Sequence, residues 1–312
     1  MADSEERFRH AFDTAPMGMF MFSVTADAGR ITRCNQSLSD FLGLPSADLL
    51  GRSVTELGIS EIASAADGMT ALLALRKDQE WDGEVAFRRT DGAMVWGAAS
   101  ASLVAPPGTE PYGICLVEDI TARKHAEAEL QYLALYNPLT GLANRALLVN
   151  RIEQALADIE PHTPGRVGLL YLDLDEFKPV NDTWGHALGD EVLQTTARRI
   201  TNSIRPGDTA SRIGGDEFAI LCPVIGGLEQ LRGIAERIWA ELRRPVTLSV
   251  GEDYEHLSVS IGVTTSSPTS TADSILQDAD GLMYQAKRNG KDCVVDERQR
   301  EQPAYEASSG QQ

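Results

Sequence analysis

At 312 residues the chain is too long for one ordinary core and predicts two domains. Its 46 acidic against 28 basic side chains leave a formal charge of −18, which excludes a general nucleic-acid binder and disfavours adhesion to anionic membranes. No segment approaches the roughly 20 apolar residues of a membrane span, the acidic start Met1–Glu6 lacks a signal-peptide pattern, and Cys34, Cys115, Cys222 and Cys293 form no CxxC pair, so they read as reduced, mostly buried thiols of a cytoplasmic protein.

Phe8, Phe12 and Ala15 predict an amphipathic helix ended near Pro16. Met19–Val24 and Ile31–Cys34 predict a hairpin, and Leu38, Leu42 and Leu49 fit short helices punctuated by Gly43, Pro45 and Gly51. Three strands follow, Trp81–Arg89, Ala93–Val104 and Tyr112–Glu118, with Asp91-Gly92 as the hairpin turn between the first two. This region holds no catalytic cluster. Thr121–Tyr136 has neither Gly nor Pro, and Ala126, Leu130 and Leu133 fall at helical steps of four and three. That seam reads either as a parallel two-helix coil, the favoured reading, or as one solvated helix.

Further on, Gly168–Leu172 reads as a strand, placing Asp173 just past its end, where ligands bind on α/β sheets. Asn181, Asp182, Gly185, His186, Gly189 and Asp190 make a polar run expected to be a long functional loop. Thr209–Ile213 and Phe218–Cys222 read as strands around the turn Gly214-Gly215-Asp216-Glu217. Glycines admit close approach of another molecule, and adjacent carboxylates repel unless a cation lies between them. The turn therefore reads as a Mg2+ site beside a phosphorylated ligand, or as an ordinary hairpin with its acids in water. The polar tail, Asp296–Gln312, is expected to be disordered.

Arg212–Phe218, taken with Asp173–Lys178, Asn181–Gly185-His186 and Gly189-Asp190, resembles the GGDEF family of diguanylate cyclases. Asn137–Arg145, Ser258–Val263 and Asp280–Lys291 extend the likeness across about half the chain. The first region resembles a PAS sensor domain through Ala11–Met19, Arg88–Gly92 with Trp96, and Val117–Thr121. The resemblance implies an α/β and α+β two-domain protein. Residues 1–120 form the PAS antiparallel sheet with flanking helices, and 121–136 a helical signalling linker. Residues 137–297 form a cyclase domain, with a mainly antiparallel sheet surrounded by helices in the manner of nucleotidyl cyclases, and 298–312 a disordered tail. The PAS ligand is unidentified: His10 lies at the edge and His125 beyond the core, so neither suits a haem, and Cys34 reads as a core residue rather than a flavin adduct site.

What the resemblance implies for chemistry is the condensation of two GTP into cyclic di-GMP with release of two pyrophosphates. One domain holds one nucleotide, so the active species is a homodimer paired through the PAS region and linker. Asp173, Asp216 and Glu217 with the Leu174 carbonyl are the implied ligands of Mg2+, with Mn2+ as the alternative, and Asp216 and Glu217 are the catalytic pair. Gly214 and Gly215 lie against the nucleotide, Asn181 and Asp190 read guanine, and Lys178, Lys287 and Lys291 meet phosphates. Lys287 and Lys291 share a helix face if the helix passes Gly290; a solvated helix end is the plain alternative. His186 either borders the nucleotide or stabilises its loop. Arg205 and Asp208, six residues before Gly214, match the family's product-inhibition site, where cyclic di-GMP is gripped by its guanines. Asn137 stands where the family usually has Asp, which puts the contact between linker and catalytic domain in doubt. The competing readings are a non-enzymatic receptor for GTP or cyclic di-GMP, and a cyclase making hybrid cyclic GMP-AMP. The intact signature speaks against the first and Asp190 against the second. No phosphodiesterase domain is expected after Val295.

Overall fold

The structure, a computed structural model, describes residues 2–24, 29–57, 80–159, 166–251, 253–254 and 257–300. Residues 1–129 and 130–312 are two compact units.

In the first unit, α1 (Ala2–Thr14) precedes strands β1 (Gly18–Ser23) and β2 (Ile31–Cys34), then helices α2 (Gln36–Leu42) and α3 (Ser46–Leu49). Strands β3 (Glu80–Arg88), β4 (Met94–Val104) and β5 (Tyr112–Asp119) complete a five-stranded antiparallel sheet in the order β2-β1-β5-β4-β3. Asn35 explains why the chain turns from β2 into α2. Its side-chain oxygen accepts from Leu38 N at the helix N-cap and from Met19 N, while its amide donates to Phe12 O and Met17 O. Alternate residues of β4 (Val95, Gly97, Ala99, Ala101) face a core of Phe20, Phe22, Leu38, Phe41, Phe87 and Val117. Glycine is required by packing at Gly113, where a Cβ would stand 2.0 Å from the Phe22 ring. The antiparallel sheet with flanking helices is as the PAS resemblance implied. Helix α4 (Thr121–Leu135) follows, and all its positions are exposed or half-exposed, Leu130 at 68% among them.

The second unit runs α5 (Arg145–Ala157), β6 (Arg166–Asp175), α6 (Phe177–Trp184), α7 (His186–Ser203), β7 (Thr209–Gly214), β8 (Glu217–Ile225) and α8 (Leu228–Leu242). After a short pair, β9 (Val246–Thr247) and β10 (Asp253–Tyr254), come β11 (Ser258–Thr265), α9 (Ala272–Arg288) and β12 (Val294–Asp296). The sheet order is β12-β11-β6-β8-β7, antiparallel except for the parallel β11–β12 pair. Even-numbered residues of β6 (Leu170, Leu172, Leu174) join a core with α6, α7 and α8, whereas Leu169 and Tyr171 join another with α5 and α9. Helices therefore cover both faces, and β6 is buried from Val167 to Asp175. A Cβ at Gly262 would lie 2.1 Å from the Ala279 carbonyl, so α9 sits directly on the β11 backbone.

Two expectations are corrected here. The run Asn181–Asp190 falls on two helices rather than a long loop: Phe177, Val180, Val192 and Leu193 bury one face while the polar residues fall on the other. Gly185, at φ +80, separates the helices. The tail also does not lose order at Asp296. That side chain is buried, pairs with Arg232 (2.6 Å) and Arg298 (2.7 Å), and caps a 3-10 turn, Glu297–Gln299. The rest of the expected disordered tail, residues 301–312, lies outside the described residues. Among the described residues, no helix is long and apolar enough to cross a membrane, and all four cysteines are free.

Candidate active site

Strands β6 and β8 bring the acids together. Asp173 lies within β6, not past its end as the shorter apolar run suggested, because Asp173 and Asp175 continue the ladder against β11. The register sets Asp173 opposite Glu217, the first residue of β8. Leu174 N donates to Asp216 O (3.2 Å), which ties the signature turn to β6. Gly215 has φ +46, a left-handed conformation that disfavours a side chain. Apart from the chain neighbours, no atom of the described residues lies within 4 Å of a Cβ built at Gly214 or Gly215, so the space over the turn is open to a ligand.

Arg212 ties the turn to the start of the domain. Its Nε and Nη2 donate to Gly215 O (2.9 and 2.7 Å), and its Nη1 donates to Asn137 Oδ1 (3.3 Å). Asn137 Oδ1 also accepts from the Thr140 amide and hydroxyl (3.1 and 3.0 Å). The neutral side chain thus keeps a hydrogen-bonded route from the domain entrance to the signature, without the charge of an Asp. Burial lowers the Arg212 pKa from its ordinary value, while the charges of Asp190 and Asp216 work in the opposite direction. Both acids therefore lie within electrostatic reach of this guanidinium.

Asp173 shows how crowded the carboxylates are. Burial pushes its pKa up to about 6, the Lys287 ammonium 2.7 Å away opposes the rise, and the charges of Asp216 and Glu217 add to it. Glu217 Oε2 in turn accepts from the Tyr171 hydroxyl at 3.2 Å. Burial, reinforced by the Glu217 charge, moves the Tyr171 pKa far above the ordinary phenol range, so the hydroxyl keeps its proton to donate. Among the described residues, no three acidic, histidine or cysteine side chains form a ready-made metal cluster. The donors nevertheless suit Mg2+, which takes hard oxygen ligands, keeps several waters and needs only one or two carboxylates. The close ammonium of Lys287 marks Asp173 as a carboxylate that requires a counter-cation.

Asn181 is on α6 and Asp190 lies near the start of α7, past its first turn. Gly189 lets them coexist, since a Cβ there would stand 2.0 Å from Asn181 Oδ1. Lys178 and His186 are exposed on the same pair of helices. Lys287 reaches the acids from the last turn of α9, but Lys291 does not share its helix face. The helix ends at Arg288 with Asn289 as cap, and Gly290, Lys291 and Asp292 all take positive φ (109, 65 and 48°). Lys291 instead pairs with Glu176 at 2.9 Å. Arg205 and Asp208 stand apart, at the opposite end of β7 from the signature, roughly 20 Å away at strand rise. They hold each other (Nε–Oδ1 3.2 Å), Arg205 also donates to Val224 O, and the Asp208 side chain is only 1% exposed.

Tyr171, Gly189 and the positioning role of Arg212 were not assigned from sequence. For Tyr171 a signal was available: it precedes Asp173 by two, so a strand puts both on one face.

A family model described as the diguanylate cyclase GGDEF domain matches residues 134–293, and a PAS-domain model matches residues 16–122. The chain is 32% identical over 266 residues to the cyclic di-GMP phosphodiesterase PdeR of Escherichia coli (strain K12), covering 84% of this chain and 39% of that protein. It is 40% identical over 166 residues to the diguanylate cyclase TpbB of Pseudomonas aeruginosa (strain UCBPP-PA14), covering 53% and 38%. The chain thus spans about two fifths of the length of these curated relatives. The coiled coil and GGDEF domain of DgcB from Caulobacter crescentus, solved in complex with c-di-GMP, superposes with a TM-score of 0.51 at 32% identity. That match covers 56% of this chain and 91% of the other. The matched half of the sequence, the sheet that presents Asp173 opposite Glu217, and the glycine turn between β7 and β8 agree: the chain belongs to the GGDEF diguanylate cyclase family, with a PAS domain ahead of its GGDEF domain.

Proposed function

We propose that this chain is a diguanylate cyclase, condensing two GTP into cyclic di-GMP and releasing two pyrophosphates. The observation that carries the reading is the meeting of Asp173, Asp216 and Glu217 at one end of a sheet buried on both faces, beside a glycine turn open to a ligand. In each half-reaction the 3′-oxygen of one GTP loses its proton and bonds to the α-phosphorus of the other, as the bond to pyrophosphate breaks. Mg2+, or Mn2+ in its place, when bound supplies charge neutralisation and Lewis acidity at the phosphates.

The chain's own residues divide the rest of the work. Asp173, Asp216 and Glu217 with the Leu174 carbonyl hold the cation. Gly214 and Gly215 admit the nucleotide, and Lys287 and Lys178 bring positive charge to its phosphates. Asn181 and Asp190 accept or donate at guanine's edge, where Asp190 suits the N1–H and N2–H₂ donors that adenine lacks. Lys291, engaged with Glu176, requires release before it can serve a phosphate.

Each domain binds one nucleotide, so the working species is a homodimer. Ala126, Leu130 and Leu133 along exposed α4 provide the seam that pairs two copies, and the PAS domain (1–120) sets their register through the linker (121–136). Cyclic di-GMP feeds back at Arg205 and Asp208 by exchanging their mutual ion pair for its guanines. GTP as substrate fits a cytoplasmic location. Incubating the protein with GTP and Mg2+ and identifying the product by mass tests the proposal. Cyclic di-GMP is expected; hybrid cyclic GMP-AMP from mixed nucleotides, or binding without turnover, would replace it with one of the competing readings.

A further inference from the structure

Tyr171 is a buried phenol, 8% exposed, in the middle of β6. Its cross-strand neighbours are the smallest available, Gly262 on β11 and Ala219 on β8, which leave room for a ring. A phenylalanine would fill that space equally well, so packing does not call for the hydroxyl. A buried hydroxyl costs free energy unless it finds a partner, and the partner here is Glu217 Oε2 at 3.2 Å. The two residues are diagonal neighbours: Tyr171 faces Ala219 and Asp173 faces Glu217 across the same strand pair. Glu217 is only half-buried and has three side-chain torsions to fix. Tyr171 holds one of its two oxygens, and Glu217 stands directly opposite Asp173 in the strand register.

We propose that Tyr171 is a positioning residue, orienting the Glu217 carboxylate of the signature toward the divalent-cation site through its hydroxyl. The proposal rests on the cyclase reading for its consequence in turnover, but not for its consequence in cation binding. Outer partners that orient a ligand typically change metal affinity by about tenfold or more when removed. Tyr171→Phe should keep the melting temperature of the wild type, because the ring and its packing remain.

The test is a Mn2+ titration of the full chain followed by electron paramagnetic resonance, in the presence of a non-hydrolysable GTP analogue, alongside GTP turnover. Tyr171→Phe is expected to weaken Mn2+ binding about tenfold, to raise the Mg2+ concentration needed for half-maximal rate, and to leave the preference for GTP over ATP intact. Glu217→Gln should weaken Mn2+ binding by itself, and adding Tyr171→Phe to it should bring no further loss, since the hydroxyl acts through that carboxylate. Wild-type Mn2+ affinity in a folded Tyr171→Phe, or fully additive losses in the double variant, would overturn the proposal. Coupled Mn2+ losses in a protein that makes no cyclic di-GMP would uphold the positioning role and sink the cyclase reading alone.

Discussion

In the N-terminal sheet, β4 alternates buried and half-exposed positions along most of its length, whereas in the C-terminal sheet β6 is buried at every position from Val167 to Asp175. Both sheets have five strands and β-rich cores, yet they treat charge differently. In the first, acids such as Glu84 lie at the surface and pair with Arg123 and Lys124, an arrangement worth little to stability. In the second, Asp173 and Asp175 are buried and three of their four oxygens are engaged by neighbours: one of Asp173 by Lys287, and both of Asp175 by the Ser260 hydroxyl and the Asp292 amide. A sheet covered on both faces makes a carboxylate expensive unless something binds it. In that sheet burial raises the pKa of Asp173, one of the residues proposed to hold the cation.

The largest test of this contrast is Asp216→Asn or Asp173→Asn. Each should lower GTP turnover by at least about 10²–10³-fold, the scale of losing one electrostatic group at a reacting centre, with an unchanged circular dichroism spectrum. A matching insult to the other sheet is Phe22→Ala, whose ring fills the space beside Gly113. It should cost about 3–5 kcal/mol of stability in the first unit, measured by urea denaturation, while GTP-analogue binding to the second unit, measured by calorimetry, stays unchanged.

Asp190→Ser should erode a GTP-over-ATP preference that begins at about 10⁴, read from competing substrates. Gly189→Ala sharpens the same point: its methyl group would displace Asn181 Oδ1, so KM for GTP should rise about tenfold with a smaller change in kcat. At the C-terminal clasp, hydrogen bonds from Arg298 and Arg232 hold the Asp296 carboxyl at about 2, below its ordinary 3.8. The stabilisation is therefore present above pH 3.8 and is lost as pH falls through about 2. Asp296→Asn should cost about 2 kcal/mol at neutral pH and little near the acid limit, as followed by urea denaturation at both. The smallest effect concerns Arg205→Ala. Product affinity should drop about tenfold by calorimetry with the initial rate preserved, and equal affinity would leave Arg205–Asp208 a surface turn.

Periodicity and turn chemistry made much of this architecture legible beforehand. The PAS-like strands, the Asp91-Gly92 turn and the β7–β8 hairpin all have short-range signals that packing reinforces. The helices α6 and α7 were hidden because polar residues crowd Asn181–Asp190. Their buried faces rest on few apolar side chains in this run, and Gly185 resembles a loop residue until α6 is seen to end and α7 to begin there. β6 was read too short because two aspartates interrupt an apolar pattern, and burying them becomes reasonable only with Lys287 and Ser260 brought from distant sequence. The same holds for Lys291, whose place depends on three successive positive φ angles that no composition rule announces. Asn137 posed the opposite problem. The sequence showed a missing charge, but not that Arg212 would still find its side-chain oxygen.

The acid-bearing end of the second sheet is proposed to join two GTP molecules into one product. Supplying equal amounts of unlabelled and isotope-labelled GTP with Mg2+, and resolving the products by mass, tests it most directly. Cyclic di-GMP is expected in light, mixed and heavy forms, the mixed form most abundant, and none of them from Asp216→Asn. Labelled GTP that is bound but returned intact, or cyclic di-GMP formed equally well by Asp216→Asn, would contradict it.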